Sequence, residues 1–515
     1  MRLLITHGYM LTGSGSNVYV QNLSRALAEE GHEIHLLCQE TNPLDHDFVD
    51  VWTTVSKSGI ERKGEQRTPY PGRCVLHKPL VGDLLPVYVY DEYPGWRVKT
   101  FLDLSEDEFE FYAERNVEAI RTVMADSDIE AVVTNHSVPG PLIARRALEG
   151  TGTPLLSIVH GSCLQYVVRK STRYMSVARE GLEGARKIIS PSPHGAGTIT
   201  EDFPEMEEKT LALSGGVDTD LFTPKALDKK SLAELRGGGG RGPKQTEMLE
   251  NALSEASDTD ELLASLEEIS ASYEPRAHDT GAGARIESLL EGDAPLVVYV
   301  GKLIHSKGVH SLLSAFARVR KETDARLLVI GFGTFREGLE ALAAALGNGD
   351  ERSLELLMGL GKRMEGGPDE PLEHFEFSGG LSREARGMRG SIEFVGPLGH
   401  RELAKVLPAA DAAVVPSIFP EIFGLVAAEF AASGVVPFVA GHSGLSEAGA
   451  IVGKNLPFDV RVGMDGFEEN IADALLRHLS LPEEERERYA GIVRRNAVEK
   501  LSWDSLARDL AALAR

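Results

Sequence analysis

Short apolar runs alternate with helix-period segments along this chain, and the alternation occurs twice. Residues 3–6, 33–38, 131–134, 155–159 and 187–190 form the first series; residues 296–300, 325–330, 392–395, 411–415 and 435–439 form the second. Strands separated by helices predict a mostly parallel, doubly wound sheet, because parallel neighbours need a crossover over a sheet face. Two such α/β domains are therefore expected, over residues 1–224 and 294–501. Residues 225–293 between them hold the glycine run 237–240, many acids and helical stretches, and read as an acidic, partly helical insertion or linker. A second Gly- and Glu-rich departure near residues 347–390 reads as a surface elaboration.

In open α/β sheets, ligands bind beyond the carboxyl ends of the strands, where the next helix offers free amides and the positive end of its dipole. The segment Pro420-Glu421-Ile422-Phe423-Gly424-Leu425-Val426-Ala427-Ala428-Glu429 follows a predicted strand and enters a small, apolar helix. Helical side chains lean toward the N-terminus, so Glu429 reaches back toward the loop that carries Glu421. Ile422, Phe423, Gly424 and Leu425 then supply amides to a diphosphate while the two carboxylates accept hydroxyl groups. The ligand implied carries both phosphates and sugars. The competing reading is a helix N-terminus with an acidic first turn and one solvated Glu.

Three other strand-to-helix loops add to this. Gly301-Lys302-Leu303-Ile304-His305-Ser306-Lys307-Gly308 places two cations where diphosphate charge needs neutralising, unless both are solvated loop lysines. Gly331-Phe332-Gly333 supplies a close-approach turn after the next strand. Near the N-terminus, His7 to Asn17 includes Gly13, Ser14 and Gly15 before a helix, with Glu40 closing the second strand. A nicotinamide-dinucleotide fingerprint is the rival here, but Gly13 lies well beyond the strand end and the third glycine position is Val18.

A net charge of −24 and a pI near 5.1 argue against nonspecific nucleic-acid binding and against a broad membrane-docking face. Cys38, Cys74 and Cys163 share no metal-ligand spacing and suit a reducing compartment. No apolar run reaches the ~18 residues of a membrane span, and the first strand starts almost at Met1, leaving no room for a signal peptide. A cytoplasmic protein is expected, without a membrane anchor; a homo-oligomer is compatible with the sequence.

Taken together, Gly301 to Gly308, Gly331 to Gly333, Glu421 to Glu429 and Gly215-Gly216-Val217-Asp218-Thr219-Asp220-Leu221-Phe222-Thr223-Pro224 resemble the retaining glycosyltransferases of the large glycosyltransferase 4 family. The resemblance covers nearly the whole chain except the insertions. It implies the GT-B fold, in which two Rossmann-like domains face a central cleft. The second would hold the nucleotide sugar and the first the acceptor, with the last helix, residues 502–515 with Trp503, returning to the first. It also implies roles by motif. Lys302 and Lys307 match the diphosphate-binding cations, Glu429 the carboxylate for the ribose hydroxyls, and Glu421 the donor-sugar contact, helped by the amides of Phe423 and Gly424. The family usually has Arg where this chain has Lys302, so a point charge replaces a bidentate contact. His160, in Ser157-Ile158-Val159-His160-Gly161, matches a histidine that approaches the transferring sugar. Gly13 to Gly15 match the loop over diphosphate and acceptor; Asn135 and His136 contact the acceptor or order their own loop.

The activity implied is transfer of a hexosyl group with retention, from a nucleoside-diphosphate sugar to a hydroxyl of a sugar, sugar phosphate, polyol or lipid-linked acceptor. Glu421, His160 and Lys307 would be the catalytic residues. Uridine diphosphate glucose is the expected donor, on family frequency. No cofactor or metal is expected: Asp218-Thr219-Asp220 spells a metal-binding pattern of another fold, but sits in a turn outside the predicted strand ends. The alternatives are a sugar-nucleotide epimerase or hydrolase, or a noncatalytic scaffold. The aromatic residues Tyr88, Tyr90, Tyr93 and Trp96 shape the acceptor side or belong to the core.

Overall fold

In the computed structural model of the 515-residue chain, the described residues are all except 12–14, 89–92, 94, 226–231, 233–234, 236, 239–241, 274–277, 280, 376–384, 386–387 and 389. Gly13, Ser14 and Tyr90 thus lie outside the described residues. The chain divides into two compact units, Met1–Asp218 with Lys500–Arg515, and Thr219–Glu499.

In the first unit, strands β1 (Arg2–Thr6), β2 (Glu33–Leu37), β3 (Val51–Ser56), β4 (Gly59–Glu65) and β5 (Arg73–Pro79) precede a separate pair, β6 (Leu84–Val87) and β7 (Arg97–Thr100). Strands β8 (Ala131–Asn135), β9 (Leu155–Ile158), β10 (Lys187–Ser190) and β11 (Thr210–Ala212) follow. The large sheet runs β11-β10-β9-β8-β1-β2-β5-β3-β4, parallel throughout except for the β3–β4 pair. Alternation along β1 sends Leu3 and Ile5 into one core layer and Leu4 into the other, as a sheet covered on both faces requires. The edge strand β4 was not legible as a strand, because GIERKGE is polar and largely exposed and so shows no apolar run.

The C-terminal helix Trp503–Ala514 completes the first unit. Trp503 meets Tyr19 edge-on at 5.1 Å, and Leu506, Ala507 and Leu510 join the core layer of helix Gly15–Glu29. Gly216 makes room for the indole, since a Cβ there would lie 2.2 Å from the Trp503 ring.

The second unit carries β12 (Gly237–Gly238) paired with β13 (His278–Asp279), and a sheet of β14 (Leu296–Val300), β15 (Arg326–Ile330), β16 (Ile392–Val395), β17 (Ala412–Val415), β18 (Pro437–Ala440) and β19 (Arg461–Val462). Its order is β16-β15-β14-β17-β18-β19, all parallel. Helices Pro243–Glu255 and Thr259–Ala271 pack beside helices Arg336–Asn348 and Glu351–Leu360, burying Leu262, Leu266, Ile269, Leu354 and Leu357. Ser353 Oγ donates to the Leu253 carbonyl at 3.1 Å, and Tyr273 Oη to Glu337 Oε1 at 2.6 Å. Arg285, on helix Ala282–Leu289, ties Asp279 to Glu393 of β16, each at 2.6 Å. Arg494 donates to the carbonyls of Thr219, Phe222 and Ala432, which fixes the turn after Asp218.

Candidate functional site

The order of the second sheet reverses between β14 and β17, and at such a switch point the loops leave in opposite directions and open a crevice. Two loops flank it: residues 301–308 after β14 and 416–424 after β17. Glycines bring them together. Gly308 is left-handed (φ 67°), and a Cβ on it would sit 2.0 Å from the Pro416 carbonyl oxygen. That approach lets the Ile418 amide and Ser417 Oγ donate to the Ser306 carbonyl at 3.0 and 3.1 Å. Gly331 packs as closely, its would-be Cβ lying 1.8 Å from the Gly301 oxygen, so the β15 loop stacks directly on the β14 loop.

The result is an ion pair across the crevice: Lys307 Nζ lies 2.6 Å from Glu421 Oε1, both side chains roughly three-quarters buried. Glu421 is held from behind. Its amide donates to Ser443 Oγ (2.9 Å), and its carbonyl accepts from the Gly444 amide (2.8 Å). Because a carbonyl only accepts, His442 Nε2 carries a proton and donates to the Ser417 oxygen at 2.7 Å. His442 Nδ1, 3.1 Å from Ser443 Oγ, then accepts the serine proton. Ser443 is left-handed (φ 51°), a strained setting for a serine, maintained by this relay. The sequence reading missed His442 and Ser443; their one signal was a position directly after a buried strand.

Ile422, the buried Phe423 and the left-handed Gly424 (φ 103°) lead into helix Leu425–Ala432, which has no side-chain N-cap. Its first amides are therefore open to an anion without competition from a capping side chain. Glu429, 12% exposed, lies on this helix and pairs with His400, whose Nε2 is 3.2 Å from Glu429 Oε1. Lys302 is exposed and makes no side-chain hydrogen bond or ion pair among the described residues; its carbonyl accepts from Tyr299 Oη at 2.8 Å. The structure thus brings Lys307 and Glu421 together directly and leaves Lys302 at the rim.

The first sheet reverses between β1 and β8, and the other predicted residues gather there. Asn135 ends β8, donates to the Thr6 carbonyl at 3.2 Å and so accepts from His160 Nε2 at 3.1 Å. His160 is therefore the Nε2–H tautomer. Its ring packs 5.1 Å from Tyr19 and 4.8 Å from His136, and these water-excluding surroundings, with His7 nearby, lower its pKa to about 3. His136 is interior rather than exposed: it is left-handed (φ 70°), 1% accessible, and enclosed by His7, Tyr9, Tyr88 and His160. His7, buried and held by Asn17 at 2.9 Å, was not anticipated. A cavity of ≈ 40 Å³ beside this cluster, lined by Thr6, His7, Tyr9, Tyr88, Asn116 and Asn135 among others, has room for roughly two or three waters. Gly15, exposed, opens helix Gly15–Glu29. Glu40 does not resemble a ribose-binding acid, because its carboxylate already accepts from the amides of Leu11, Thr41 and Asn42; burial would raise its pKa, but His46 and the Leu11 and Asn42 amides together lower it to about 2. That disposes of the dinucleotide rival.

The Glycosyl transferase 4-like domain family matches residues 14–212, and the Glycosyl transferases group 1 family matches residues 284–354. The chain is similar to an uncharacterized glycosyltransferase of Methanocaldococcus jannaschii, 24% identical over 232 residues, which make up 43% of this chain and 44% of that protein. The match therefore spans less than half of that relative. It is also similar to MMP alpha-(1->4)-mannosyltransferase of Mycolicibacterium hassiacum, 24% identical over 528 residues, covering 97% of this chain and 94% of that one. Among solved structures, sucrose-phosphate synthase from Thermosynechococcus elongatus aligns with a TM-score of 0.57 at 19% identity, covering 99% of this chain and 98% of that one. No described helix is long and apolar enough to cross a membrane. The chain belongs to the glycosyltransferase 4-type glycosyltransferases and has their α/β, GT-B fold.

Proposed function

We propose that this glycosyltransferase moves a hexosyl group, with retention, from a nucleoside-diphosphate sugar to an acceptor hydroxyl, and that the second unit binds the donor. The observation that carries the reading is the Lys307–Glu421 pair at the switch point, with Glu429 on the helix that follows. Without a donor each charge neutralises the other. With one bound, Lys307 turns to the diphosphate, where negative charge grows as the bond to the sugar breaks. Glu421 accepts hydroxyls of the transferring sugar and sets its orientation, and Glu429 accepts the ribose hydroxyls. The amides of Ile422 to Leu425 and Gly331 line the diphosphate, with Lys302 adding charge from the rim.

The acceptor hydroxyl attacks from the face that the diphosphate leaves, and a leaving phosphate oxygen takes its proton. Oxygen–carbon bond formation and loss of the phosphate–carbon linkage then balance without a cofactor. His160, neutral at pH 7 and fixed as the Nε2–H tautomer by Asn135, offers Nδ1 as an acceptor to a sugar hydroxyl. His136 and Asn135 order this loop; Gly13, Ser14 and Gly15 belong to the acceptor-side loop. Uridine diphosphate glucose is the proposed donor, and a sugar, sugar phosphate, polyol or lipid-linked glycan the acceptor.

The test is a thermal-shift screen of nucleoside diphosphates, followed by incubation of the best donor with an acceptor panel, mass spectrometry and assignment of the new anomeric centre. Glu421→Ala is expected to abolish transfer while leaving affinity for the free nucleoside diphosphate nearly unchanged. Full-rate turnover without any acceptor would sink the transferase reading in favour of a hydrolase or epimerase.

A further inference from the structure

The Glu429 carboxylate has a close neighbour, and that neighbour comes from a different strand loop. His400 opens helix His400–Val406, just past β16 at the far edge of the sheet, yet its Nε2 lies 3.2 Å from Glu429 Oε1 on the helix after β17. The loop between β16 and this helix therefore reaches back over the carboxyl ends of the intervening strands. The two partners differ in exposure: the Glu429 side chain is 12% accessible and that of His400 is 44%. Phe222, itself buried, meets the imidazole at 83° with ring centroids 6.0 Å apart and backs it against the protein. A half-exposed aromatic ring, fixed by a carboxylate on one side and a phenyl ring on another, is a preorganised surface for a flat ligand group.

We infer that His400 is a nucleoside-binding residue: it orients Glu429 toward the ribose diol and presents its imidazole to the nucleobase side of the donor. The inference rests on the nucleotide site proposed above and extends it to a residue that touches neither the diphosphate nor the transferring sugar. Two physical consequences follow. Removing the imidazole takes away the ring that lies 3.2 Å from the Glu429 carboxylate and leaves that carboxylate free to rotate, so hydroxyl recognition weakens. It also removes ring contact with the base, while Lys307 and the helix amides still hold the phosphates.

Calorimetric titration of the full-length protein with UDP, ADP, GDP, 2′-deoxy-UDP and inorganic pyrophosphate tests this. His400→Ala is expected to weaken the best-bound nucleoside diphosphate by about tenfold and to leave pyrophosphate affinity unchanged. The preference for UDP over 2′-deoxy-UDP is expected to shrink in the same variant. His400→Gln, which keeps an N–H donor toward Glu429 but no ring, is expected to restore the ribose preference without restoring full affinity. A merely structural role for His400 would lower pyrophosphate affinity as well, and that result, or equal nucleotide affinity in wild type and His400→Ala, would overturn the inference. Failure of the wild-type protein to bind any of the three nucleoside diphosphates would instead remove the nucleotide site itself, and the inference with it.

Discussion

Acidification should destabilise the second unit through His310, and the size of the effect can be worked from its surroundings. The ring is fully buried on helix Val309–Glu322, stacked 5.0 Å from His305, with Nε2–H donating to the Glu373 carbonyl at 2.8 Å. Burial is the main cause that lowers its pKa from 6.5 to about 3, and the His305 and His374 charges act in the same direction. The unfolded chain therefore binds a proton below pH 6.5 that the folded chain refuses until about pH 3. Stability rises with pH wherever the unfolded state holds more protons, so this contribution is intact above pH 6.5 and is lost progressively as the pH falls below it. Between pH 7 and pH 5 the loss amounts to about 2 kcal/mol. His310→Gln keeps an N–H for the Glu373 carbonyl and removes the titrating group. Whatever the substitution costs at pH 7, the difference between pH 7 and pH 5 should shrink by about 2 kcal/mol. Peptide-resolved hydrogen exchange of helix Val309–Glu322, corrected for intrinsic rates, reads that double difference. An unchanged pH dependence in the variant would refute the argument, because it would mean that His310 protonates equally in both states.

Two further substitutions probe the site and the scaffold. Lys307→Ala is expected to weaken nucleoside diphosphate binding by roughly 10- to 100-fold, the range for a charge-assisted contact to phosphate, measured by calorimetry at fixed salt; an unchanged dissociation constant removes the lysine from the site. Gly216→Ala places a methyl group 2.2 Å from the Trp503 ring, so the C-terminal helix must shift. A loss of roughly 1–3 kcal/mol is expected from urea unfolding followed by tryptophan fluorescence, and no change would show that the indole seat is loose.

The sequence by itself determined the two parallel α/β series and the loops where chemistry would sit. Buried parallel strands must be apolar, and crossover helices must follow them, so β1, β8, β9, β14, β15 and β17 announced themselves. Glu421, Lys307, Glu429 and His160 stood out as candidates because each lies in a loop that follows such a strand or in the helix after it. The polar β4 was invisible for the opposite reason, since an edge strand with exposed faces has no apolar run to read. Only the tertiary structure decided which loop residues meet. Whether Lys302 or Lys307 reaches Glu421 depends on the left-handed turn at Gly308 and its contact with Pro416, and no local pattern encodes that distance. The pairing of His400 with Glu429, the His442–Ser443 relay behind Glu421 and the inward turn of His136 have the same origin. Each joins loops that follow different strands, and sheet order within each unit brings those loops together.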